Sequence, residues 1–167
     1  MKQFIIGIIL IVVYLLQVTL LPEFKIFGVQ ANLLLVVICA ISFLFGVVDG
    51  SIAGVILGIL LDMYQGRNLG LSALIFFYIA IFIGGFNKKF FKDNYLILLV
   101  LTVAATLVYE ATMYIFAIFA YSQKFMILSL LRNLFIEIAM NILVGAIIYP
   151  FLLKFNIGFE AHRNIFK

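Results

Sequence analysis

Six long apolar runs, separated by short polar stretches, make up most of this chain: 4–21, 31–48, 51–65, 71–86, 95–120 and 129–152. Such runs predict helices. About 20 apolar residues at 1.5 Å rise cross a hydrocarbon core ~30 Å thick, and a helix satisfies its own backbone there. Pro22 and Pro150 are expected to close the first and last runs, because proline does not continue a helix. Residues 31–62 read as one apolar stretch, which as a single helix would be about 48 Å long. Asp49-Gly50 is a good turn pair, so the stretch is split there into two helices.

The interruptions within the runs are patterned too. Ser42, Gly46, Gly50, Gly54, Gly58 and Asp62 recur at steps of four. Small residues at helical spacing let backbones approach closely in lipid. With the turn at Asp49-Gly50, the ladder becomes Ser42 and Gly46 on one helix, then Gly54, Gly58 and Asp62 on the next. That predicts a tight helical hairpin with Asp62 at its outer end. Its glycines either pack inside the bundle or receive a partner's membrane helix. Asp62 is expected to cap a helix turn or pair with Arg67; contact with a partner protein is the sharper alternative.

Two further stripes are polar. Thr102, Thr106, Glu110 and Tyr114 share one face of the fifth helix, and Asn133, Glu137 and Asn141 share one face of the sixth. An antiparallel pair turning near Lys124 puts Glu110 and Glu137 at nearly the same depth. A charged side chain at mid-membrane costs ~2.5–3.5 kcal/mol on insertion scales. The two acids are therefore expected to share a proton or to be held by Asn and Tyr groups. One role is a clamp that sets helix register; the other is a proton or substrate site.

Composition narrows the class. The 167 residues are 67% hydrophobic and 11% charged, with a mean hydropathy of +1.32. A soluble domain carries roughly 45–50% apolar and about 25% charged residues, so the solvent here is lipid. The net charge of +4 comes from basic residues between apolar runs, which suits cytoplasmic loops and excludes a nucleic-acid module. With six spans and the N-terminus inside, the cytoplasmic face collects Lys2, Lys88, Lys89, Lys92, Lys154, Arg163 and Lys167. Lys25, Arg67, Lys124 and Arg132 stay outside. Both termini are thus expected in the cytoplasm, with a basic tail over 153–167 lying along the inner surface and no appended soluble domain.

The first run lacks a small-residue cleavage site and reads as a retained helix. The lone Cys39 is an apolar filler, and His162 stands alone, so no metal site is expected. Most of the 19 Phe are expected to face lipid, and Tyr64, Tyr95, Tyr121 and Tyr149 to sit at the interfaces. No phosphate-binding loop, HExxH or nucleophile elbow is present, so neither catalytic residues nor a cofactor are expected.

Residues 30–85 carry Ala31-Asn32-Leu33-Leu34-Leu35, then Gly46, Gly50, Gly54 and Gly58, then Leu60-Leu61-Asp62, Gly66 and Leu69-Gly70-Leu71-Ser72-Ala73-Leu74. This segment resembles the bacterial rod shape-determining protein MreD family. MreD proteins more often have Pro-Asp or Pro-Asn where this chain has Ala31-Asn32, which leaves Asn32 as the matching residue. The resemblance implies a scaffold in lateral cell-wall synthesis that works with MreC, the MreB filament and the RodA–transpeptidase pair. Such folds are also similar to the substrate-binding subunits of energy-coupling-factor transporters. That keeps a second function open, a transport subunit binding a small molecule at the Glu110/Glu137 stripes. The bulky first helix, with only Gly7 small between Phe4 and Val13, speaks against it.

Overall fold

The computed structural model describes residues 2–66, 70–86, 95–121 and 126–165. They form six α-helices and no strand: α1 (Lys2–Thr19), α2 (Leu33–Phe45), α3 (Val47–Gln65), α4 (Leu71–Gly85), α5 (Tyr95–Tyr121) and α6 (Ile127–Ile165). Pro22 lies just beyond α1, in a single 3-10 turn over Leu21–Phe24.

The helix with the least polar character sits at the centre. Every residue of α2 from Leu33 to Leu44 is buried, and α2 touches each of the other five helices. A helix that is apolar all round has no face to offer water, so it is enclosed. At 13 residues it is about 20 Å long, shorter than a hydrocarbon core. Three of its neighbours contain stretches long and apolar enough to cross a membrane: Val47–Gln65, Leu96–Ala120 and Ile127–Lys154. Their outer faces are greasy. On α3, Val48, Ile52, Ile56, Ile59 and Met63 all point outward. Phe43 and Phe76, by contrast, are fully buried.

The break between α2 and α3 is not at Asp49-Gly50 but at Gly46. Its φ of +99° and ψ of −178° form a combination essentially restricted to glycine. Asp49 instead occupies the first turn of α3, where a carboxylate complements the helix dipole. Gly50 also serves packing. A Cβ there would run into Ser42 across the hairpin.

The most extensive interface joins α3 to α4. A Cβ on Gly54 would come within 2.9 Å of the Phe76 carbonyl oxygen, and one on Gly58 would overlap the Ala73 backbone. Gly84 of α4 lies as closely against Val47. Ser42, Gly50, Gly54 and Gly58 are thus used in packing inside the molecule, whereas Gly46 has open space beside it.

Pro150 does not end the last helix. It lies within α6, which runs 39 residues, about 58 Å. An internal proline removes one backbone N–H and crowds the preceding turn, but membrane helices tolerate this through local adjustment. The side chains of 155–167, on which the surface-lying tail rests, are outside the described residues.

Candidate functional site

The start of α2 poses a problem that organises the polar residues. A helix leaves its first N–H groups without intrahelical partners, and these are enclosed by apolar neighbours. Gln17 of α1, buried, solves part of it: its Oε1 accepts the Leu33 N–H at 2.8 Å and its Nε2 donates to the Ala31 carbonyl at 3.2 Å. Asn32 caps its own helix, accepting the Leu35 N–H at 3.1 Å. Asn141 of α6 accepts the Asn32 N–H at 2.7 Å and donates to Thr106 Oγ1 of α5 at 3.0 Å. Four helices are therefore joined through one buried junction.

Glu137 lies one turn from Asn141, and its buried carboxyl meets that of Glu110 within hydrogen-bonding reach. Beside them is a cavity of about 170 Å³. Gln17, Gln30 and Gln65 line it together with Tyr109 and the two acids. It lies at the end of the bundle where α1 leads to α2 and α3 leads to α4. Among the described residues, the buried Gln30 Oε1 has no hydrogen-bond partner.

The remaining polar groups flank this junction. Tyr109 stacks on Phe76 with ring centroids 5.1 Å apart and shares a hydrogen bond with Ser72 at 3.3 Å. Asp62, 1% exposed, receives the Gly70 N–H at 2.8 Å and the Ser72 N–H at 3.0 Å. It caps α4 from the end of α3, where Gly70 has no side chain to do so. Its expected partner Arg67 is outside the described residues.

The outer ends of the two polar stripes part company. Tyr114 accepts the Met126 N–H at 2.7 Å, at the entry to α6, while Asn133 is bonded by Arg132 at 3.3 Å in an exposed pair. At the other end, Tyr149 is not at an interface as expected. It is fully buried and hydrogen-bonds Thr102. Tyr64 is exposed, and the side chains of Tyr95 and Tyr121 are outside the described residues.

Gln17, Ser72, Tyr109 and Tyr149 belong to this network and Gln30 lines the cavity beside it, yet sequence patterning did not single them out for it. Gln17 carried a signal, as the polar residue before the end of an otherwise apolar helix. Tyr109 and Tyr149 carried none, since a tyrosine suits an interface equally well. Chemically, the site offers carboxyl and amide groups. No cluster of three His, Cys, Asp or Glu able to hold a metal occurs among the described residues.

Against family models, the one described as rod shape-determining protein MreD matches residues 1–156. The chain belongs to the MreD family. The match reaches well beyond the 30–85 segment that carried the resemblance and takes in α5 and most of α6, with Glu110, Glu137 and Asn141. No curated protein and no solved structure matches the chain. As an MreD-family member it is a membrane protein with a role in rod-shape determination, and MreD is not known as a family of enzymes.

Proposed function

We propose that this MreD-family chain is a non-enzymatic scaffold of the peptidoglycan-synthesising elongation machinery and binds MreC. The observation that carries the proposal is the family match over residues 1–156. The chain acts as one integral domain crossing the bacterial cytoplasmic membrane six times, both termini inside. MreB and the RodA–transpeptidase pair are further members of the same assembly.

The architecture supports a scaffold over a transport subunit. The polar cavity holds about 170 Å³, whereas pockets for small-molecule ligands run to roughly 300–1,000 Å³. The α3 glycines are occupied by α4 and Ser42, so MreC contacts other surfaces than these glycines. Co-purification from native membranes in mild detergent tests the scaffold; a folded chain that never retains MreC defeats it. Labelling of single cysteines placed at Lys2 and Lys25 tests the orientation. Modification of position 2 from outside the cell overturns it.

A further inference from the structure

The connection from α1 to α2 presents aromatic rings outward. Residues 23–28, Glu-Phe-Lys-Ile-Phe-Gly, are all exposed, Phe24 at 68% and Phe27 at 81%. Ile26 and Val29 exchange two backbone hydrogen bonds, at 2.8 and 3.0 Å, which close a two-residue hairpin turn over Phe27 and Gly28. Both turn residues have positive φ, +51° and +85°. Such turns favour Asn or Asp before Gly, because a bulky side chain is strained at positive φ. This chain puts phenylalanine there instead. Among the described residues, Phe27 is the one non-glycine with positive φ. A ring held at the tip against that preference points to a surface that receives it.

The place of the turn says which surface. α1 spans 18 residues, about 27 Å, so its end reaches the edge of a hydrocarbon core ~30 Å thick. Along α1, Phe4, Ile8, Ile11, Val12 and Leu15 stand exposed to lipid, opposite the buried Leu10, Val13 and Gln17. Leu20, Phe24, Ile26 and Phe27 continue this apolar surface past the helix end. Glu23 and Lys25 alternate with the apolar residues. That mixture suits a membrane interface, where rings enter the acyl boundary and a lysine head stays in the polar layer. We propose that the turn over Phe24–Gly28 inserts into the phospholipid interface, with Phe24 and Phe27 at the acyl boundary and Lys25 among the phosphates. Three residues beyond Gly28, Ala31 and then Asn32 are buried at the α2 entrance, where they line the polar cavity. The inserted turn thereby fixes the depth of the segment that closes the junction.

The chain contains no tryptophan, so Phe27→Trp supplies a single reporter. The full chain carrying it is placed in nanodiscs of phosphatidylethanolamine and phosphatidylglycerol, which leave both membrane faces open. Its emission should be blue-shifted from that of free tryptophan. Lipids brominated near the headgroup end of the acyl chain should remove most of the emission, and aqueous iodide little of it. Phe24→Trp should read the same, and it decides the matter if Phe27→Trp does not fold. Tryptophan itself favours interfaces, so Phe27→Cys gives a reading free of that preference. Cys39 is buried, and a water-soluble maleimide should modify the new thiol several-fold more slowly than N-acetylcysteine. Emission quenched by iodide and indifferent to brominated lipid overturns the proposal and assigns the exposed turn to a protein partner. A thiol at position 27 as reactive as N-acetylcysteine overturns it too.

Discussion

The α3–α4 seam and the α5–α6 pair hold the same bundle together by opposite means. Along α3–α4, side chains are absent where they would intrude: Gly54, Gly58 and Gly84 bring backbone against backbone. Between α5 and α6, side chains do the joining, through Thr106 with Asn141, Thr102 with Tyr149 and Glu110 with Glu137. The first interface is fixed by shape and leaves no room. The second is fixed by hydrogen-bond matching and leaves a cavity. In lipid, where apolar side chains gain little by meeting each other, close backbone contact and polar pairing are the two available sources of helix association. This molecule puts close backbone contact between α3 and α4, where Asp62 adds a polar cap, and side-chain pairing between α5 and α6.

The contrast is sharpest at Gly58. Gly58→Leu drives a branched side chain into the Ala73 backbone, which cannot move aside as a flexible side chain would. The expected outcome is loss of folded protein, seen as aggregation in detergent size-exclusion chromatography. A monodisperse variant would mean that the seam is softer than it looks. Asp62→Ala comes next. It leaves the Gly70 and Ser72 N–H groups without their charged acceptor, and about 1.5–3 kcal/mol of stability should disappear. A denaturation midpoint matching the unsubstituted chain would show that water replaces the carboxylate.

On the polar side, Asn141→Leu should cost about 1–2 kcal/mol, since both the Asn32 N–H and the Thr106 hydroxyl lose a partner. Its loss should also be non-additive with Thr106→Val in a double-mutant cycle; strict additivity would deny that they share a network. Glu110→Gln should have the smallest effect, under about 1 kcal/mol, because the amide keeps the hydrogen-bonding capacity that meets Glu137. Unfolding of Glu110→Gln would show that the acid pair is a structural requirement.

How much of this was legible differs between the two regions. The ladder from Ser42 to Asp62 announced close packing, and the glycines pack closely. Its break was misplaced by a few residues, because Asp-Gly favours turns locally while Gly46 alone takes the positive φ that the hairpin needs. Pro150 misled for a similar reason: its local preference was overridden by a helix that continues on both sides. The level pairing of Glu110 with Glu137 followed from helical spacing and a short turn. The involvement of Gln17, Asn32 and Gln30 did not, since nothing in their spacing says that the α2 entrance is buried.

Apolar runs of bilayer length, four-residue spacing and the scarcity of charge determined by themselves that this chain is a helical membrane protein with one small-residue and one polar stripe pair. Those properties are periodic and local, so the chain states them one residue at a time. Only the tertiary structure decided that α2 is enclosed by the other five helices. That enclosure made its N-terminus a buried polar junction and set a cavity beside the two acids. Burial depends on what every other helix does, and an apolar run looks the same whether lipid or protein surrounds it.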